Sequence, residues 1–207
     1  MNIVLIGIQG SGKGTLVADL QEKLEFELIS TGQMLRDEIS TGSTLGKVIE
    51  QCIADGQLVS TDLVMQVLKN KLHKIAKPNV VFDGFPRETS QAKRLKEIMN
   101  VDLVIHLNLS KEMAIERLLN RLTCNKCKRI TKLSAVNDLT CPACGGELIK
   151  RTDDTIDSIN NRFKIYESET YPLLELYRQW GVNVVDVDAS QTPTKVLETV
   201  MKVLKWV

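Results

Sequence analysis

Short apolar runs separated by amphipathic segments recur along the 207 residues of the chain. Four runs have the length and composition of buried strands, and they occupy residues 2–6, 79–82, 103–109 and 182–187. The segments between them repeat apolar residues every three or four positions, which is typical of helices that cover a sheet. Strands that alternate with helices predict an α/β fold whose parallel sheet is covered on both faces.

Two stretches of the chain depart from this alternation. Between residues 30 and 72 no strand pattern is found, and short helical patterns are interrupted at Gly42, Gly46 and Gly56, which predicts a small helical lobe. From residue 124 to 147 the composition shifts to Cys, Lys, Asn, Pro and Gly with little apolar periodicity. This shift indicates a small insertion in the main domain.

Composition and charge exclude several broad classes of protein. Lys and Arg number 27 against 26 for Asp and Glu, and a net charge of +1 gives no general footprint for nucleic acid. No stretch approaches the ~20 apolar residues that span a bilayer, and the first apolar run lacks the basic residues of a secretory leader. We expect one main domain in the cytoplasm that binds neither nucleic acid nor membranes, and we expect a monomer.

A glycine-rich loop joins the first predicted strand to the first predicted helix. The sequence from Gly7 to Thr15 is GIQGSGKGT, and its glycines allow backbone N–H groups to point at a phosphate. Lys13 adds a mobile positive charge at the position typical of a P-loop, although Gly14 stands where Ser or Thr usually follows the lysine. The loop predicts a nucleoside triphosphate site, and a glycine-rich turn that binds nothing is the alternative.

Five segments, in this order along the chain, resemble the adenylate kinase family of nucleoside monophosphate kinases. They are GKGT in the loop, STGQMLR at 30–36, DGQLVSTD at 55–62, FDGFPR at 82–87 with Gln91 after it, and RTDD at 151–154 before Arg162. The resemblance covers nearly the whole chain. It implies a P-loop fold with a five-stranded parallel sheet, and reversible transfer of the terminal phosphoryl group from ATP with Mg²⁺ to AMP, which gives two ADP.

The resemblance also implies how the chain is divided and which residues act. The core P-loop domain would comprise residues 1–29, 60–122 and 151–207, the lobe at 30–59 would bind AMP, and the insertion at 123–150 would be the lid over ATP. The implied catalytic residues are Lys13, Asp83, Arg87, Arg121, Arg151 and Arg162. The implied ATP-binding residues are Gly10, Ser11, Gly12, Lys13, Gly14, Thr15, Arg117 and Arg121. The implied AMP-binding residues are Thr31, Arg36, Gln57, Leu58, Val59, Gly84, Arg87, Gln91, Arg151 and Arg162.

The chemistry of phosphoryl transfer agrees with this set, because it requires positioning and positive charge rather than a nucleophile. Arg117 and Arg121 are four residues apart, and we expect both on one face of a helix that begins near Ser110. Asp83 follows a predicted strand, where a carboxylate can hold waters of a Mg²⁺ ion; an N-cap in a turn is its alternative role.

Four of the five cysteines form two CxxC pairs. Cys124 and Cys127 are followed, after thirteen residues, by Cys141 and Cys144, a spacing close to that of a two-knuckle zinc ribbon. Four thiolates leave no open coordination position, so we expect a structural Zn²⁺ in the lid, with iron as the second choice and four free cysteines as the alternative. Cys52 stands alone, and we assign it no role.

Some positions differ from the pattern of the family, and three other functions are alternatives. One of them, a non-catalytic metal-binding structural protein, is disfavoured by Lys13 and the arginine set. Gln9 stands where proline is usual, Gln33 where aspartate is usual, and Ala189-Ser190 where glycine is common. The nearest rival is a kinase that prefers UMP or CMP, against which Thr31 argues. The second is a P-loop protein that recognises nucleic acid through its zinc ribbon. The balanced charge and the lack of interleaved aromatic residues disfavour this alternative.

Overall fold

The computed structural model describes residues 1–54, 59–73, 75, 77–127, 129–151 and 154–204. In chain order the elements are β1 (Asn2–Gly7), α1 (Lys13–Gln21), β2 (Glu27–Ser30), α2 (Thr31–Ser40), α3 (Thr44–Ala54), α4 (Thr61–Leu72), β3 (Val80–Asp83), α5 (Thr89–Ile98), β4 (Leu103–Asn108), α6 (Lys111–Leu119), β5 (Arg121–Cys124), β6 (Ile130–Lys132), β7 (Leu148–Ile149), α7 (Ile156–Ile165), α8 (Leu173–Gln179), β8 (Asn183–Asp188) and α9 (Pro193–Val203). A 3₁₀ turn spans Leu133–Ala135, and a π-helical turn spans Tyr166–Thr170. Within these residues no helix is both long enough and apolar enough to cross a bilayer.

Five strands form one sheet in the order β2-β3-β1-β4-β8. β3 is parallel to both β1 and β2, and Val80 pairs with Asn2 on one side and with Glu27 on the other. The side chains of β1 and β4 are almost continuously buried, as expected for parallel strands that are covered on both faces. The sheet confirms the predicted α/β fold, and all four strands that the apolar runs predict are present.

The apolar pattern does not predict β2. This strand has four residues, of which only Ile29 is fully buried. It lies at one edge of the sheet, with β3 as its neighbour. A short edge strand with one buried side chain has no clear period of two, so the sequence gives little indication of it.

Contacts between residues divide the chain into two compact units. The first unit consists of Met1–Ile6, Lys23–His106 and Glu169–Val185, and the second of Gly7–Glu22, Leu107–Ser168 and Asp186–Val207. The helical segment with α2, α3 and α4 therefore lies in the first unit. The glycine-rich loop and the CxxC pairs lie in the second.

In the first unit, α2 packs against α3 and α4. The prediction that Gly46 interrupts a helix is wrong, because Gly46 lies within α3. A Cβ atom at this position would lie 2.4 Å from the carbonyl oxygen of Glu38, so the glycine allows α3 to approach α2 closely. Gly42, with a φ of 67°, does separate the two helices, and Gly56 lies outside the described residues.

In the second unit, a small antiparallel sheet has the strand order β6-β5-β7. The prediction that Arg117 and Arg121 share a helix face is wrong, because α6 ends at Leu119 and Arg121 begins β5. Asn120 leaves the helical conformation, with φ of −97° and ψ of 9°. The next residue then pairs with Lys132 of β6, so a strand ladder replaces the helical hydrogen bonds.

The hydroxyl group of Tyr177 is buried on α8 in the first unit. The residue is 1% exposed, and its ring meets that of Trp180 edge to face at 5.5 Å. Its hydroxyl oxygen has no hydrogen-bond partner among the described residues. Burial raises the pKa of Tyr177 well above its usual range, because a buried phenolate would lose its hydration.

We expect Tyr177→Phe to raise the free energy of unfolding by about 1 kcal/mol at about pH 8, because it removes an unpaired buried hydroxyl and keeps the ring. The gain should grow between about pH 9 and pH 11. In that range the unfolded tyrosine ionises near its ordinary pKa of about 10 while the folded one stays neutral, so the wild type alone loses stability there.

Urea unfolding of both proteins across this pH range measures the effect. Tyr171→Phe is the matched control, since Tyr171 is 54% exposed, and it should show no gain. If Tyr177→Phe were no more stable than the wild type at either end of the pH range, the Tyr177 hydroxyl would have to form a hydrogen bond in solution.

Candidate active site

The loop between β1 and α1 is tightly curled. Gly10 and Gly12 have φ angles of 89° and 95°, in the left-handed region that glycine adopts without strain. The backbone N–H of Ser11 donates to the carbonyl oxygen of Ile8 at 3.0 Å, which closes the turn. Gly12 precedes α1, and among the described residues no side chain caps the helix at this position. The first N–H groups of α1 therefore suit an anion.

The ammonium group of Lys13 lies against this loop. Its Nζ donates to the carbonyl oxygens of Gly7 at 2.6 Å and Ile8 at 3.1 Å, and it lies 3.4 Å from Oγ of Ser11. The charge is therefore held beside the N-terminus of α1, where the helix dipole adds positive potential. The loop thus combines three features that suit a phosphate, namely a tight glycine turn, a helix start without a side-chain cap and a lysine.

The rest of the loop is shaped by its packing in the second unit. A Cβ atom at Gly10 would lie 2.9 Å from the carbonyl oxygen of Ala114 in α6, so this position requires glycine for space as well as for its φ. Gly14 is exposed, and a Cβ there would lie 3.5 Å from Cδ1 of Ile130 in β6. Thr15 is half-buried in the first turn of α1.

Arg121 forms a buried ion pair that the sequence does not reveal. Its Nε and Nη2 donate to the two carboxylate oxygens of Asp154 at 2.9 and 2.6 Å. The side chains are 11% and 6% exposed, respectively. This bidentate pairing fixes the plane of the guanidinium and offsets part of its charge. The RTDD segment contains Asp154, but the segment alone does not show that its carboxylate holds an arginine 33 residues away.

Arg117 lies in the last turn of α6 and is half-buried. Its positive charge acts on Asp188 at the end of β8. Hydrogen bonds from the Ser190 hydroxyl and the Gln191 amide lower the pKa of Asp188, and the Arg117 guanidinium lowers it further. Arg117 is therefore close to the turn between β8 and α9, which includes the Ala189-Ser190 pair.

The two remaining arginines of the predicted site in the second unit follow β7. Arg151 is exposed, and its Nε donates to Oγ1 of Thr123 in β5 at 3.2 Å. Arg162 is half-buried in the last turn of α7. All of the predicted ATP-binding residues lie in the second unit, together with these two arginines. Asp83 lies in the first unit, as do the described residues of the predicted AMP set other than Arg151 and Arg162.

In the first unit, the carbonyl oxygen of Gly84 joins two residues of the predicted AMP site. It accepts hydrogen bonds from Oγ1 of Thr31 at 2.7 Å and from Nε of Arg87 at 2.9 Å. The guanidinium lies against Gly84, where a Cβ atom would be 3.2 Å from Nη2 of Arg87. The backbone N–H of Arg87 donates to Oε1 of Gln91 at 2.9 Å. The structure therefore brings Thr31, Gly84, Arg87 and Gln91 together, as the sequence predicts.

Arg36 is held in a similar way on α2. Its Nη2 donates to Oε1 of Gln33 at 2.9 Å, and Nε2 of Gln33 donates to Asp37 at 2.6 Å. The guanidinium lies beside Gly32, where a Cβ atom would be 3.3 Å from Nη1. Gln33 therefore orients Arg36, a role that its departure from the family pattern does not predict.

The structure places Asp83 at the end of β3, where it is half-buried. It pairs with Leu5 of β1 and with Ser30 of β2, so its carboxylate lies at the carboxyl edge of the sheet, as the sequence predicts. Val59 is half-buried. Gln57 and Leu58 lie outside the described residues.

The four cysteines of the CxxC pairs form one cluster in the second unit. All four Sγ atoms lie within 4.8 Å of one another, with 3.5 Å between Cys124 and Cys144 and 3.7 Å between Cys127 and Cys141. Sulfurs at ~2.3 Å from a tetrahedral ion lie ~3.8 Å apart, so the spacing suits a single metal ion. The four cysteines therefore come together in the structure, and their assignment as metal ligands stays a prediction.

The backbone around Cys124 favours its thiolate, which is the form that binds metal. Burial opposes ionisation of this thiol, but hydrogen bonds from the backbone N–H groups of Cys127 and Lys126, together with those from the thiols of Cys144 and Cys127, outweigh it and lower the pKa of Cys124 to about 6. A Cβ atom at Gly146 would lie 2.9 Å from Sγ of Cys124, so only glycine fits beside this sulfur.

Comparison with known proteins gives the family of the chain. The profile of the adenylate kinase family matches residues 5–182. An adenylate kinase of Hydrogenobaculum sp. is 40% identical over 92% of this chain and 95% of its own length, and one of Thermosipho melanesiensis is 36% identical over 99% and 100%. An adenylate kinase of the archaeon Archaeoglobus fulgidus is 34% identical over 98% and 95%. The chain belongs to the adenylate kinase family.

Proposed function

We propose that this protein transfers the terminal phosphoryl group of ATP to AMP, reversibly, and gives two ADP. The observation that carries the proposal is the family match over residues 5–182, which includes the glycine-rich loop and both arginine sets. The geometry supports it, because the residues supply positioned donors and positive charge, which is what phosphoryl transfer requires. Such an enzyme would balance the adenine nucleotides of the cytoplasm, where we place this protein.

The second unit would bind ATP. The N–H groups of Gly10, Ser11, Gly12, Gly14 and Thr15 would face its phosphates, and Lys13 would leave the loop carbonyls for a phosphate oxygen. Arg117 would lie against the base, beside the turn between β8 and α9. Arg121 would present its remaining N–H groups to phosphate while Asp154 fixes its plane.

Arg36 and Arg87 of the first unit would bind the acceptor phosphate. The family resemblance alone assigns Arg151 and Arg162 to the same phosphate. Glycine backbone beside both Arg36 and Arg87 leaves room for their guanidinium groups. A bound Mg²⁺ would offset charge on the phosphates of ATP. The half-buried Asp83 has the hard oxygen donors that this ion prefers and would hold it through water.

The hydrogen bonds of Thr31 and Gln91 restrict which base of the acceptor nucleotide these two residues can recognise. The hydroxyl of Thr31 donates its proton to Gly84, so the Thr31 oxygen can accept a hydrogen bond from a base. Oε1 of Gln91 accepts from the backbone of Arg87, so the amide N–H₂ of Gln91 can donate to a base. An acceptor and a donor together match the amino group and ring nitrogen of adenine, and also those of cytosine, whereas uracil and guanine present the reverse order.

We infer that the four cysteines bind a structural Zn²⁺, because four thiolates close a tetrahedral site and leave no position for a reacting water. Residues 123–150 would then form the lid, residues 30–59 the acceptor lobe, and the rest of the chain the core. We expect the protein to act as a monomer.

Lys13→Ala should lower kcat about a hundredfold to a thousandfold, because the transferred phosphoryl group loses the positive charge that Lys13 positions beside it. Circular dichroism and the melting temperature should stay close to the wild type. The hydrogen bonds that Nζ makes to Gly7, Ile8 and Ser11 lie within the loop itself and do not tie it to the core. Lys23→Ala, at an exposed lysine just after α1, is the control and should keep full activity. Near-normal turnover of Lys13→Ala would refute the phosphate-loop assignment.

Cys141→Ser should remove the metal and lower the melting temperature by about 5–15 °C, because a closed four-thiolate site contributes folding energy. Elemental analysis should find one zinc per wild-type chain and far less in the variant. Cys52→Ser, outside the cluster, should keep both the metal and the melting temperature. A variant that kept one zinc per chain and its stability would contradict the assignment.

AMP should exceed UMP and GMP by about a hundredfold or more in kcat/KM, because a base with the reverse order leaves polar groups unpaired at ~1–3 kcal/mol each. CMP, whose edge has the same order as adenine, should be discriminated less strongly. Thr31→Ala should narrow this ratio, and Thr31→Ser, which keeps the hydroxyl, should preserve it. A coupled assay with each monophosphate measures both. If UMP or CMP matched AMP in the wild type, the acceptor would be a pyrimidine nucleotide and the phosphoryl transfer would stand.

A further inference from the structure

Thr170 contacts Arg87 from a distant segment of the first unit. Its Oγ1 donates to the backbone carbonyl oxygen of Arg87 at 2.7 Å, across 83 residues of sequence. We propose that Thr170 is a positioning residue that holds the backbone of Arg87, so that the guanidinium meets the acceptor phosphate in the correct place. The inference rests on the proposed function, because it takes Arg87 as a ligand of that phosphate.

Three hydrogen bonds restrain Arg87 at different points. Gln91 accepts from its backbone N–H at 2.9 Å, Gly84 accepts from its Nε at 2.9 Å, and Thr170 donates to its carbonyl oxygen at 2.7 Å. The first two partners lie within four residues of Arg87 and move with the same turn. Thr170 alone of these three ties that turn to another part of the unit.

Thr170 can act as a fixed point because of the helices beside it. The π-helical turn ends at Thr170, and α8 begins three residues later with Leu173 buried. α8 packs against α5, where Nζ of Lys96 lies 4.4 Å from the centre of the Trp180 ring. α5 begins two residues after Arg87, and α8 begins three residues after Thr170. The two residues of the hydrogen bond therefore lie next to helices that pack together.

A small displacement of the backbone would matter here. Arg87 reaches its ligand through a long side chain, and a misplacement of about 1 Å in a reacting group lowers rates strongly. A hydroxyl that only satisfied a carbonyl group would affect stability and nothing else. A positioning role predicts instead a loss of kcat/KM for AMP, and it predicts that this loss depends on the presence of Arg87.

Thr170→Val removes the hydroxyl and keeps the shape of the side chain. We expect it to lower kcat/KM for AMP about threefold to tenfold, the range that corresponds to the loss of one hydrogen bond. KM for ATP should stay unchanged, and Thr170→Ser should restore most of the activity. Thr199→Val is the matched control, since it removes an equivalent hydrogen bond, from Oγ1 of Thr199 to Lys195, within α9 of the second unit.

A double-mutant cycle tests the route of the effect. In an Arg87→Ala background, Thr170→Val should cause no further loss, because the residue that it positions is gone. Equal losses in the two backgrounds, a rise in KM for ATP as large as that for AMP, or failure of Thr170→Ser to recover activity would each overturn the proposal.

Hydrogen exchange of the Arg87 amide in the nucleotide-free protein tests the contact without any turnover. Thr170→Val should speed this exchange, and Thr170→Ser and Thr199→Val should not. Unchanged exchange in Thr170→Val would refute the restraint. If the wild type failed to phosphorylate AMP, the proposed function would be wrong, and the exchange measurement would still decide whether Thr170 holds Arg87.

Discussion

The parallel register of β3 with its two neighbours is the constraint on which the predicted acceptor residues depend. Asp83 pairs with Ser30 in β2 and with Leu5 in β1, so β2 and β3 end side by side. The residues that follow, Thr31 and Gly84, therefore leave the sheet together, and the Thr31 hydroxyl reaches the Gly84 carbonyl at 2.7 Å. A shift of β2 by one residue would turn Thr31 to the other face and separate this pair.

The arginines differ in what holds them, and the difference affects the charge that each can offer. Arg36 and Arg87 are oriented by uncharged groups, the amide of Gln33 and the carbonyl of Gly84, and these two contacts do not offset their positive charge. Arg121 is oriented by the carboxylate of Asp154, which offsets part of its charge. A neutral partner therefore orients a guanidinium without the loss of charge that a carboxylate partner causes.

Features with a local physical cause could be predicted from the sequence, and features that depend on distant partners could not. Glycines with positive φ, buried strands and paired cysteines are encoded by neighbouring residues, and the structure confirms them at Gly10, Gly12 and the CxxC pairs. The helical spacing of Arg117 and Arg121 misleads, because spacing does not show where a helix ends. A threonine that bonds to a carbonyl 83 residues away leaves no pattern at all.

The small sheet of the second unit shows why this chain needs a cysteine cluster. Its buried side chains are Leu122, Leu148 and two of the cysteines themselves, while Leu133, Leu139 and Ile149 are 39%, 53% and 44% exposed. So few buried apolar groups cannot offset the conformational entropy of nearly thirty ordered residues. Four thiolates on one ion would supply that energy in a volume that apolar side chains could not match. The two buried cysteines would then serve as core residues and as ligands at once, so replacing one would remove packing together with the metal.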